Sequence, residues 1–135
     1  MILVDTTVII DLLKGVENEK TELFEEIQLQ NIPYGITSYT YQEVLQGARD
    51  EAEYKKLKKY LSSQTIYFLP EIIETYDKAA NIFFSLRKQG VTIRSTIDIL
   101  IGLTAIEHNL LLLHNDKDFD AMADKIKKLK IFNHF

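Results

Sequence analysis

The chain has 135 residues, 46% of them apolar and 27% charged, with a formal net charge of −4 and no cysteine. That length gives one domain, residues 1–135, with room for its own core, and the absent cysteines exclude a disulfide framework, a thiolate nucleophile and a thiolate metal site. An acidic balance argues against holding nucleic acid by bulk charge, but leaves room for an enzyme that acts on it through a local site.

The first residues lack a basic leader region, and no apolar run approaches the roughly 20 residues that cross a bilayer. The expectation is a cytoplasmic protein without a membrane partner. Along the chain, residues 2–4 (ILV) read as a short buried strand that ends on Asp5. Residues 7–14 form a helix stopped by Gly15, and 18–30 a second helix capped by Asn18. Residues 33–37 are the second strand. Residues 41–48 and 50–61 are helical, with Asp50 and Glu53 spaced as a capping box. TIYFL (65–69) is a third strand closed by Pro70, and 71–90 a long amphipathic helix ending on Gly90. Ser95 and Thr96 introduce a very apolar helix over 97–108; a buried strand (110–114), a helix (118–128) and a short strand (130–132) complete the chain. Strands joined by helices predict an α/β fold with a mainly parallel sheet of four to five strands, covered on both faces.

In this layout four acids hold equivalent positions. Asp5 follows the first strand, Glu43 lies in the first turn of the helix after the second, Asp98 in the first turn of the apolar helix, and Asp116 just after LLLLH. Strand ends and the helix starts that follow them face one edge of a parallel sheet, which is where open α/β sheets bind ligands. Each acid also has a structural reading. Asp5 is a good N-cap, Thr40/Glu43 and Ser95/Asp98 have capping-box spacing, and Asp116 sits in a turn. Jointly those readings weaken, because four acids on one edge repel one another unless a cation compensates them. Asp98 is the sharpest case, set among Ile97, Ile99, Leu100 and Ile101 where an unpaired charge is costly. Oxygen ligands without cysteine select a hard cation, Mg²⁺ with Mn²⁺ as a substitute. Such an ion activates water and neutralises phosphoryl charge, which points to phosphodiester hydrolysis.

The stretches MILVDTTVIIDLLKG, ITSYTYQEVLQGAR and GVTIRSTIDILIGLTAIEHNLLLLHNDKDFDAMA resemble the PIN domain and, within it, the VapC-like toxins of toxin–antitoxin modules. The resemblance runs through nearly the whole chain, in order and with similar spacing. It implies a three-layer α/β/α fold and a Mg²⁺-dependent endoribonuclease whose acidic quartet falls on Asp5, Glu43, Asp98 and Asp116. Asp5 and Asp98 would be the main ligands of the ion, Glu43 would orient or deprotonate the attacking water, and Asp116 would complete the shell or support a second ion. Thr6 or Thr7 matches a position where the family keeps a small hydroxyl or amide near the site. Asp118 is an auxiliary carboxylate or, on the residues alone, the cap of a helix starting at Phe119. The resemblance also implies a homodimer, a cognate VapB-like antitoxin that sets an Arg or Lys against the carboxylates, and structured RNA such as tRNA or rRNA as substrate.

Arg94, four residues before Asp98, is placed to touch an RNA phosphate or to pair with an acid of the site. His114, two residues before Asp116, is a candidate for substrate contact. The run KKLKK (55–59) reads as a solvated helix face with Tyr54, Leu57 and Leu61 on its buried stripe. Ile82, Phe83, Phe84 and Leu86 exceed what one core-facing stripe needs and suit a dimer contact. Two readings from other classes compete. A phospho-acceptor receiver domain needs an Asp ending its central strand, whereas TIYFL, taken as that strand, ends on Leu69 and Pro70. A PIN domain that only binds RNA or protein, as a regulator, would share the fold without cleaving.

Overall fold

The computed structural model describes residues 1–135. Its elements are β1 (Ile2–Val4), α1 (Thr6–Leu13), α2 (Glu19–Leu29), β2 (Tyr34–Thr37), α3 (Ser38–Leu45), α4 (Glu51–Ser62), β3 (Ile66–Tyr67), α5 (Ile73–Lys88), α6 (Thr96–Glu107), β4 (Leu111–Leu113), α7 (Lys117–Lys125) and β5 (Lys130–Ile131). The five strands form one sheet in the order β3-β2-β1-β4-β5, and every pair is parallel. No helix is long and apolar enough to cross a membrane.

Alternation along the strands divides the core between the two faces of the sheet. Ile2, Val4, Ile36 and Leu113 pack with Val8, Phe24, Val44 and Leu61 of α1–α4. Leu3 and Leu112 face the other way, onto Leu86, Ile99, Phe119 and Met122 of α5–α7. The α/β, three-layer, parallel architecture expected from the sequence is the observed one. Helix α6 is buried through its middle, from Ile99 to Ala105. Gly102 lets it settle onto α7, since a Cβ there would lie 2.9 Å from the Met122 sulfur. Gly90, expected as a helix stop, has φ +82°, a conformation that glycine adopts without strain.

Several boundaries differ from expectation. Helix α3 starts at Ser38, not at 41, because Thr37 at the tip of β2 caps it by accepting the Thr40 N–H at 3.0 Å. The expected Thr40/Glu43 capping box therefore does not form, and Glu43 sits in the second turn. Helix α7 starts at Lys117 with Asp116 as its cap, accepting the Asp118 N–H at 2.9 Å, so Asp118 is not the cap. At α4 the Asp50 half of the capping box forms, while the Glu53 carboxylate turns to Arg49 at 3.0 Å. The third strand keeps only two residues and lies at the sheet edge. The central strand is β1, and Asp5 follows it directly, so TIYFL is no ground for excluding a receiver domain.

Candidate metal centre and active site

The chain runs from β1 outward to β2 and β3, then crosses to β4 on the other side of β1. The sheet therefore reverses its winding between β1 and β4, the place where parallel sheets open a crevice at their carboxyl ends. Asp5 and Asp116 flank that crevice. The Asp5 N–H donates to Leu113 O at 2.9 Å, which holds the two strand tips side by side.

Asp5 is 2% exposed. Its Oδ2 accepts the Thr7 N–H at 3.1 Å and the Thr7 hydroxyl at 2.6 Å, while Oδ1 is buried without any partner. Burial pushes its pKa up to about 6; the Thr7 and Thr6 hydrogen bonds pull the other way without cancelling it, and the Glu43 charge adds to the rise. Asp98, at the third position of α6, is pushed up to about 7, first by burial and then by the charges of Asp5, Asp116, Glu43 and Asp118. It is the one carboxyl raised by all the others, so these five acids form a single electrostatic cluster.

Within the cluster, carboxylate oxygens of Asp98, Asp116 and Asp118 lie within 4.8 Å of one another. Asp118, expected as an auxiliary carboxylate or a helix cap, thus takes a place in the innermost group. Asp5 and Glu43 stand outside that trio and join it through their fields. Arg94 forms the ion pair that was one of its two expected roles, with Nε 3.1 Å from Asp118 Oδ2 and Nη2 3.3 Å from Asp116 Oδ1.

Hydroxyls and amides hold these acids: Thr6 and Thr7, expected near the site, and Thr37, Thr40 and Asn115, which were not. The Thr6 hydroxyl donates to Glu43 Oε1 at 2.7 Å and lies 2.9 Å from the buried Thr40 hydroxyl, which Thr37 reaches at 3.3 Å. A carboxylate only accepts, so the single Thr6 proton goes to Glu43 and Thr40 supports Thr6 from behind. The Asn115 backbone N–H donates to Thr7 Oγ1 at 3.0 Å, tying the loop that carries Asp116 to the tip of β1. His114 is 2% exposed, too deep to touch a substrate. Its Nδ1 accepts the Asp116 N–H at 3.0 Å, so its role is to shape the turn; burial lowers its pKa. Nε2 lies 3.2 Å from Asp120 Oδ1, outside hydrogen-bonding geometry. Thr37, Thr40 and Asn115 carried no signal beyond cap and turn chemistry, because their partners are distant in sequence.

The residues fit a hard divalent cation. The donors are all oxygen, three of them converge, and the buried Asp5 Oδ1 lacks any partner although such atoms are normally satisfied.

Comparison with known proteins agrees with this geometry. The family model described as PIN domain matches residues 2–125. Ribonuclease VapC11 of Mycobacterium tuberculosis is 33% identical over 81 residues, 60% of this chain and 60% of its own length. In structure, VapBC2 from Rickettsia felis, solved bound to a DNA fragment from its promoter, matches with TM-score 0.75 over 100% of both chains at 22% identity. A toxin–antitoxin complex from Klebsiella pneumoniae matches with TM-score 0.62 over 97% of this chain and 100% of that one, at 25% identity. With its parallel sheet, its acids gathered at the strand tips and a family match across almost all its length, the chain belongs to the PIN-domain family.

Proposed function

We propose that this chain is a Mg²⁺-dependent endoribonuclease, the toxin of a VapBC-type toxin–antitoxin module, which hydrolyses structured RNA such as tRNA or rRNA and so inhibits translation. The observation that carries this reading is the cluster of five acids around Asp98 at the β1/β4 crevice, with a buried, unpartnered Asp5 oxygen. The kinship of the 81-residue segment to named ribonucleases supports it.

In this reading Asp5, Asp98 and Asp116 hold the cation, with Asp118 as an auxiliary carboxylate. When bound, Mg²⁺ lowers the pKa of water and offsets charge on the scissile phosphate. A bound cation would favour the charged forms of Asp98 and Asp5, whose pKa values burial and neighbouring acids hold near 7 and 6. Glu43 takes the proton of the attacking water: Thr6 occupies Oε1 and leaves Oε2 as the acceptor. Thr7 locks Asp5 Oδ2 so that Oδ1 faces the site, a positioning role.

Two partners belong to the same proposal. A groove of about 950 Å³ lies between α1, α3 and α4, and Ile10, Leu13, Leu57, Lys14, Lys56 and the site residue Glu43 are among its lining. It suits an antitoxin segment that delivers a basic residue to the acids, and the Klebsiella relative was solved as a toxin–antitoxin complex. A second copy of the chain would cover the outer face of α5, where Ile73, Tyr76 and Phe84 are exposed at helical spacing beside Phe68 and Ile72.

Purified chain, free of antitoxin, incubated with total cellular RNA and Mg²⁺ or Mn²⁺ tests the activity. Discrete fragments with 5′-phosphate ends that vanish with EDTA and in Asp5→Asn are expected. Intact RNA from folded protein would turn the reading to a PIN domain that acts by binding alone.

A further inference from the structure

Arg94 precedes the α6 cap residue Ser95, and its guanidinium lies across the mouth of the acidic cluster. It reaches Asp118 Oδ2 through Nε at 3.1 Å and Asp116 Oδ1 through Nη2 at 3.3 Å, and its backbone N–H donates to the same Asp118 oxygen at 3.3 Å. Asp116 Oδ1 also accepts the Asp118 N–H at 2.9 Å. Two of the three carboxylates that converge within 4.8 Å are therefore already engaged by one positive charge of this chain. The Arg94 side chain is 75% exposed, so it is free to leave these oxygens without disturbing the core. A planar fork that bridges two carboxylates is a geometry lysine does not reproduce.

We infer that Arg94 is the built-in counter-cation of the metal-free centre: it holds Asp116 and Asp118 together and competes with the divalent ion for them, so that it sets the metal concentration at which the site fills. This rests on the metal reading of the acidic cluster. In the metal-free chain the guanidinium relieves part of the repulsion among five acids. When a doubly charged ion arrives, it and the guanidinium draw on the same two carboxylates, and the ion's apparent affinity falls by the strength of whatever pairing it displaces. The same pairing offsets part of the repulsion that like charges at this spacing exert on one another.

The test is direct Mn²⁺ binding, by calorimetry and by the EPR signal of free Mn²⁺, on the full chain, Arg94→Gln and Arg94→Lys, with melting curves for each. Exposed ion pairs contribute modestly, so Arg94→Gln is expected to bind Mn²⁺ about threefold to tenfold more tightly than wild type. Its metal-free form should melt lower and gain more on adding Mn²⁺. Arg94→Lys, which keeps the charge and loses the fork, should fall between the two; it carries the test if Arg94→Gln does not fold. Binding by Arg94→Gln equal to or weaker than wild type overturns the inference while leaving the metal reading intact, and would make Arg94 a support for the ligands rather than their competitor. Failure of wild type and both variants to bind Mn²⁺ overturns the metal reading and the inference with it.

Discussion

The Thr7 hydroxyl stands 2.6 Å from Asp5 Oδ2 and 3.0 Å from the backbone nitrogen of Asn115, joining the tip of the central strand to the loop that carries Asp116. One small side chain thus fixes the rotamer of one acid and the position of another, 111 residues apart in sequence. Thr7→Val removes both bonds with little change of volume. Cleavage and Mn²⁺ affinity are expected to fall about 10- to 100-fold, the usual loss for a group that orients a metal ligand, while Thr7→Ser stays near wild type. Wild-type cleavage in Thr7→Val would show that Asp5 needs no such anchor.

Asp98→Asn separates catalysis from stability. It deletes the carboxyl that burial and four neighbouring charges disfavour, so the metal-free variant should melt about 3–5 °C above wild type if roughly 1 kcal/mol is recovered. Cleavage should be abolished, and so should the rise in Tm on adding Mg²⁺. Scanning calorimetry with and without Mg²⁺ reads both; a lower Tm would mean that the Asp98 charge supports the fold.

The pH dependence follows from the same two acids. In the fold Asp5 titrates near 6 and Asp98 near 7, against about 3.9 in an unfolded chain. A carboxyl raised on folding contributes its stability in full below the unfolded value and loses it as pH rises through the folded value. Metal-free protein should therefore lose stability between about pH 4 and pH 7, the shift of buried Asp5 accounting for about 3 kcal/mol. Asp98 adds less than its shift suggests, because its side chain is only partly buried and solvent screens it. Mg²⁺ acts on the ionised forms, so the Tm gain on adding it should grow from pH 5 to pH 8. A gain that is largest at pH 5 would contradict the cluster as the binding site.

The exposed stripe on α5 makes a prediction about assembly. Ile73 is 69% exposed and Phe84 50%, so neither contributes much to the core of a single chain. Ile73→Asp with Phe84→Asp should shift sedimentation from dimer to monomer at micromolar concentration and leave the Tm of the metal-free chain nearly unchanged. A wild type that sediments as a monomer would remove the second copy from the account.

The alternation of strands and helices was readable because each is amphipathic or apolar over its whole length and is bounded by caps, Gly or Pro. Asp5 and Asp116 at strand ends and Asp98 at a helix start were readable for the same reason, since position along a parallel sheet follows from chain order. What the sequence concealed depends on partners far apart. The Thr6–Glu43 bond spans 37 residues, so no local pattern announces it, and an ion pair for Arg94 was expected without its partner Asp118, 24 residues away, being identified. The start of α3 was hidden because Ser38, Tyr39 and Thr40 lack an apolar period, and the Thr37 cap became recognisable only once β2 ended there. Strand order was hidden too: nothing in TIYFL shows that the chain later crosses β1 and leaves that segment at the edge. The cap was assigned to Asp118 and not to Asp116 because either acid suits a helix start.

The most direct test of one metal centre at the β1/β4 crevice is a crystal of the chain soaked in Mn²⁺, with anomalous differences collected at the manganese edge. The account predicts a peak within bonding distance of Asp5 Oδ1 and the Asp98 carboxylate, absent from a crystal of Asp98→Asn. A peak elsewhere, or none at saturating Mn²⁺ in well-ordered crystals, would contradict it.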